Sequence, residues 1–151
     1  ISKKCNLKGN CMSMIFGDNA ADNYSLESKF FVFAYLFENN TNIINVSPDF
    51  LPATTLEGSC YYKMFSGCTS LTTAPELPAT TLTAACYERM FSGCTKLNYI
   101  KMLATDISAD YCLDVWVDGV ASAGTFVKNP AMTTLPTGKN GIPDGWTVEN
   151  A

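Results

Sequence analysis

The sequence predicts an α/β solenoid, with a parallel β-sheet on one face, short helices on the other and a cap at each end. Three observations predict it. Residues 51–76 and 77–102 are identical at 15 of 26 positions. Each of these copies carries one apolar stripe with its residues four apart, followed by a segment rich in β-branched residues. The flanking stretches repeat the pattern more weakly and lose it toward both termini. A 26-residue unit cannot bury its own apolar side, whereas stacked units can, which is why a fixed period of this length implies a stack.

The elements follow in chain order. Residues 1–28 form an N-terminal cap, with Met12, Met14 and Ile15 directed inward. Residues 29–120 form about four coils. In the first, Val32, Leu36, Phe37, Thr41 and Ile43 lie 28 residues before Cys60, Met64, Phe65, Thr69 and Leu71, so two extra residues fall in the turn SPDF at 47–50. In the second, Leu56, Cys60, Met64 and Cys68 have the spacing of one apolar helix face, with Phe65 beside Met64. Thr54 and Glu57 read as a capping box and Gly67 as the left-handed residue that closes the helix. The following TSLTTAPE suits a brief strand ended by proline. The third coil repeats this 26 residues on. In the fourth, Cys112, Trp116, Val117, Gly119 and Val120 follow Cys86, Met90, Phe91, Gly93 and Cys94 by 26. Residues 121–151 form the C-terminal cap: Pro143, Asp144 and Gly145 mark a turn, Trp146 to Val148 a strand, and Phe126 with Trp146 seal the last coil. At 151 residues and 47% apolar composition, 1–151 reads as a single domain.

Composition narrows the chemistry. The chain has no His, and nucleophile systems built on Ser-His-Asp or Cys-His, with nearly all catalytic zinc sites, need an imidazole. Carboxylate, Lys or Cys-only chemistry stays open, but no residues mark a catalytic pair in a cleft, so no catalytic residue, metal ligand or cofactor is assigned. A net charge of -4 with 10 scattered basic residues lacks the electrostatic footprint for nucleic acid. The longest apolar run, Phe30 to Phe37, is eight residues long, where a membrane span needs about 20.

Two clusters invite a metal and are read otherwise. Cys60, Cys86 and Cys112 share one repeat slot, and Cys68 and Cys94 another, so they form inward ladders of small apolar side chains. Parallel stacked Cβ directions fit disulfide geometry poorly, and Cys5 with Cys11 is the alternative pair outside the repeat. Asp106, Asp110, Asp114 and Asp118 are four apart. Asp106 falls in the capping slot of Thr54 and Thr80, and the other three in slots between apolar ones, which makes them a solvated face rather than a calcium site.

The combination LPATTL, CY, MFSGCT and a following Leu, present twice in 51–102, resembles the BspA-like leucine-rich-repeat proteins, surface proteins of anaerobic bacteria of the mouth and gut. ATDIS, GTFVKNP and GIPDGWTV are similar to the closing segment of that family, and NLKGNCMSMIFGD to its entry. Asn40 and Val120 depart from it, standing where Cys68 stands in its copy. The resemblance implies a leucine-rich-repeat-like solenoid, a secreted or cell-surface location with the export signal removed, and adhesion to host or cell-surface proteins or glycans.

Alternation in the strands locates a face for such binding. With Leu71 and Leu97 inward, the outward slots are Asn45, Thr73 and Tyr99 in one column and Ser47, Pro75 and Lys101 in the next. Repeat proteins use such extended sheet surfaces for partners. The alternative is a plain soluble surface on a structural spacer module of a larger cell-surface protein.

Overall fold

The computed structural model describes residues 3–151. It is a mixed α/β chain. Among the described residues the regular elements are β1 (Cys5–Leu7), the one-turn helix α1 (Ser13–Phe16) running into a 3-10 segment (Gly17–Asp22), β2 (Ile43–Val46), β3 (Tyr99–Met102), β4 (Thr125–Lys128) and β5 (Thr147–Asn150). All strand pairs are parallel: β1 with β2 in one small sheet, and β3, β4 and β5 in order in another. Single bridges from Asn45 to Thr73 and from Thr73 to Tyr99 span the gap between them. No closed barrel forms.

TSLTTAPE contributes only the bridge at Thr73, where the equivalent LNYIKM contains all of β3. Pro75 is the cause, because it has no N–H for the ladder. The N–H of Ala74 reaches Tyr99 O, the next bond to the neighbouring strand is made by Leu77 to Lys101 O, and Glu76 turns the other way to Pro48 O.

The helices expected over the Leu56 to Cys68 stripe and its equivalents do not form. Each is instead a ribbon of successive tight turns, in which every fourth residue is left-handed: Ser59, Lys63 and Gly67, then Ala85, Arg89 and Gly93, then Tyr111, Val115 and Gly119. Hydrogen bonds alternate in direction. The N–H groups of Cys60, Tyr62, Met64, Ser66 and Cys68 each return three residues back, while those of Ser59, Tyr61, Lys63, Phe65 and Gly67 reach carbonyls of the next copy, at Ala84, Cys86, Glu88, Met90 and Ser92. A helix would satisfy all of these within itself. A left-handed non-glycine residue costs roughly 1–2 kcal/mol, and the cross-copy bonds and packing offset that cost. The capping box is likewise absent: the Glu57 carboxylate accepts N–H bonds from Gly58 and Ser28, both at 2.9 Å.

The inward phase of the stripe matches expectation. Leu56, Cys60, Met64, Phe65, Cys68 and Leu71 are buried, as are Leu82, Cys86, Met90, Phe91, Cys94 and Leu97. Between these slots sit Tyr61 and Tyr87, also buried, which the helix reading did not place in the core. Two aromatic stacks run along the copies, Phe33–Tyr61–Tyr87 and Phe37–Phe65–Phe91, and both end on Trp116, which meets Phe126 edge-on. All seven cysteines are free. The thiols of Cys68 and Cys94 donate to Phe37 O and Phe65 O of the preceding copy, at 3.1 and 3.0 Å. Asn40, which occupies that slot in the first copy, turns its amide oxygen to Asn42 N–H.

At the N-terminal end Met12 is buried as expected, Ile15 packs half-buried against the core, and Met14 is 58% exposed, because one turn of helix has only one inward side. At the other end Phe126 and Trp146 are buried; the indole N–H groups of Trp146 and Trp116 donate to Ala121 O and Gly141 O.

Candidate functional site

The first predicted column is a continuous row on the sheet. Register places Asn6, Asn45, Thr73, Tyr99, Thr125 and Thr147 side by side on neighbouring strands. Asn45, Thr73 and Tyr99 are half-buried. Asn45 is held within the row: its amide nitrogen donates to Asn6 Oδ1 at 3.3 Å and its oxygen accepts the Thr72 hydroxyl at 2.7 Å.

The second column does not form as an outward surface. Pro75 is buried, and the Ser47 hydroxyl is buried with no hydrogen-bond partner among the described residues. The turn at 47–50 is responsible. The N–H of Phe50 closes on Ser47 O, Phe50 plugs into the core against Phe37, and Pro48 O takes the Glu76 N–H, so this turn folds over the slot that Pro75 occupies. Of that column only Lys101 reaches the surface, and its ammonium pairs with Glu76 at 2.7 Å. The hydrogen bond to Glu76 raises the Lys101 pKa above its ordinary value.

Thr73, Tyr99 and Lys101 therefore come together, around a cavity of ≈ 120 Å³ completed by Pro48, Ala74 and Glu76. Chemically it offers a phenol ring, an ion pair and a hydroxyl on a rigid sheet. Pro48 and Glu76 were not among the predicted residues, yet a signal for Glu76 existed. The two copies agree from Tyr61 to Leu71 at nine of eleven positions and then diverge completely over 72–76 against 98–102, and that divergent stretch is the one bearing the site.

The other clusters are dispersed. Asp106 accepts bonds from the N–H and hydroxyl of Ser108, which lowers its pKa. Asp110 and Asp118 are exposed and Asp114 half-buried. Among the described residues no three His, Cys, Asp or Glu side chains converge as metal ligands, and no helix is long and apolar enough to cross a membrane. Burial pushes the thiols up, that of Cys60 to about 12 and that of Cys68 to about 11. No protein-family model, curated protein or solved structure matches the chain.

Proposed function

We propose that this chain is a leucine-rich-repeat-like solenoid of an exported, surface-associated protein, and that it binds host or cell-surface proteins or glycans through its sheet face without catalysing a reaction. The 26-residue register of cross-copy hydrogen bonds and of the two aromatic stacks supports the solenoid. The convergence of Tyr99 and Lys101 with Thr73 on one cavity carries the binding reading. A tyrosine presents a large amphipathic surface with little rotamer entropy to lose, which is why such residues anchor interfaces.

The test is binding of the purified chain to an array of matrix proteins and glycans, alongside the Tyr99→Ala/Lys101→Ala variant. Saturable binding that disappears in a variant with an unchanged circular dichroism spectrum is the expected result. Binding that survives the double change would move the site elsewhere. No binding across the array would favour the second reading, a structural spacer, which the regular stacking also suits.

A further inference from the structure

The two extra residues of the first copy have a structural outcome that the sheet-face reading does not use. Insertions in a repeat project as loops on one side of the stack, commonly a side used for binding. Here they place Pro48 and Asp49 at the lip of a groove of ≈ 340 Å³, walled by Tyr24, Pro48, Pro52 and Pro78 and flanked by Asp49 and Glu76. This groove adjoins the Tyr99 cavity through Pro48 and Glu76, but Tyr99 and Lys101 do not line it.

The groove is apolar and preorganised. Pro52 and Pro78 occupy the same slot of consecutive copies, and the three prolines have φ fixed by their rings. The Tyr24 backbone is clamped, since its carbonyl accepts the N–H groups of both Thr54 and Thr55, while half of its surface is open to solvent. A rigid apolar slot loses little entropy when it is filled. Its charge has one sign: the groove is lined by two carboxylates and no cation. Glu76 is neutralised from outside by Lys101, whereas Asp49 is exposed and in no ion pair among the described residues. An apolar slot with an unpaired anion on its rim complements an apolar side chain next to a cation. Glycans carry neither, because they are uncharged or anionic and need hydrogen-bonding partners along their length.

We propose that the groove between Tyr24, Pro48, Pro52 and Pro78 is a second binding surface, which takes a peptide segment carrying a large apolar residue beside a Lys or Arg that pairs with Asp49. It is independent of the Tyr99 site, and the two fail separately.

The experiment pans a random displayed peptide library against the whole chain and measures one enriched peptide, as a fluorescent conjugate, on wild type and on Tyr24→Ala, Asp49→Asn, Asp49→Lys and Lys101→Ala. Enriched peptides should pair an apolar residue with Lys or Arg. Tyr24→Ala and Asp49→Lys should each weaken binding by about fivefold or more, Asp49→Asn by up to about fivefold, the most that one exposed ion pair contributes. Lys101→Ala should not weaken it, because that change frees Glu76. The proposal is overturned if no peptide enriches over bare support, if the enriched peptides are acidic or show no charge preference, or if Tyr24 and Asp49 variants bind as wild type does. A peptide lost in Lys101→Ala but indifferent to Tyr24 and Asp49 would sink the groove and leave the sheet-face site standing. Glycan binding that Tyr24→Ala abolishes would overturn the peptide assignment.

Discussion

Truncation of Phe65 tests the stacking of the copies most directly. Phe65 is fully buried, with its ring stacked on Phe37 at 5.4 Å on one side and on Phe91 at 5.8 Å on the other. A buried aromatic ring removes roughly 150 Å² or more from water, and at about 25 cal/mol/Å² its loss comes to about 4 kcal/mol. That lies inside the range of about 3–5 kcal/mol for Phe to Ala changes in cores. Neighbours held in both directions along a stack leave little room for collapse, so the cavity persists. The same change at Phe37, half-buried and at the end of its stack, should cost roughly half as much, and Met14→Ala, on the exposed side of α1, no more than about 0.5 kcal/mol. Urea unfolding followed by circular dichroism gives all three, provided the slope is unchanged; in thermal melts Phe65→Ala should fall by roughly 8–16 °C, at about 2–4 °C per kcal/mol for a chain of this length. A Phe65→Ala variant within about 1 kcal/mol of wild type, or an order of cost other than Phe65, Phe37, Met14, would refute the stacked core.

Two further predictions concern the ribbon and the thiols. Gly67 and Gly93 are both left-handed, but a Cβ on Gly93 meets only ordinary contacts, whereas one on Gly67 collides with the Asn39 side-chain oxygen. Gly93→Ala should therefore cost about 1–2 kcal/mol from backbone strain alone and Gly67→Ala more, with the excess removed by Asn39→Gly; additive costs in that double-mutant cycle would show that the collision is not felt. In the native chain iodoacetamide at pH 8 should label the exposed Cys5 and spare the buried thiols, against all seven in urea; mass spectrometry counts the adducts, and rapid native labelling of Cys60 or Cys86 would contradict their burial. Because burial raises the Cys60 thiol from 9.0 to about 12, the folded state favours the protonated form. Its contribution is complete below pH 9 and is lost as pH rises toward 12, so the urea midpoint should decline above pH 9; a midpoint that rose over that interval would have the wrong sign.

Much of this was legible in the sequence. The repeat itself determined which residues face inward, because one slot must meet the same environment in each copy: Cys60 with Cys86, Met64 with Met90, Leu71 with Leu97. It also determined the parallel direction of the strands and the sealing role of Phe126 and Trp146, since large apolar residues beyond the last copy have only its open end to cover. What the sequence left undetermined is the backbone between the strands. Apolar residues four apart suit one face of a helix and equally suit a ribbon with every fourth residue left-handed. The choice rests on where alternate N–H groups find their carbonyls, and those of Ser59, Tyr61, Lys63, Phe65 and Gly67 find them 25 residues away, in a copy that a local reading does not weigh. The same limit accounts for the face. Strand alternation placed Tyr99 and Lys101 outward, but only the tertiary structure decided that the turn at 47–50 folds over Pro75, that Glu76 pairs with Lys101, and that two inserted residues raise the lip of a groove beside Tyr24, because each depends on contacts between segments some 25 or more residues apart.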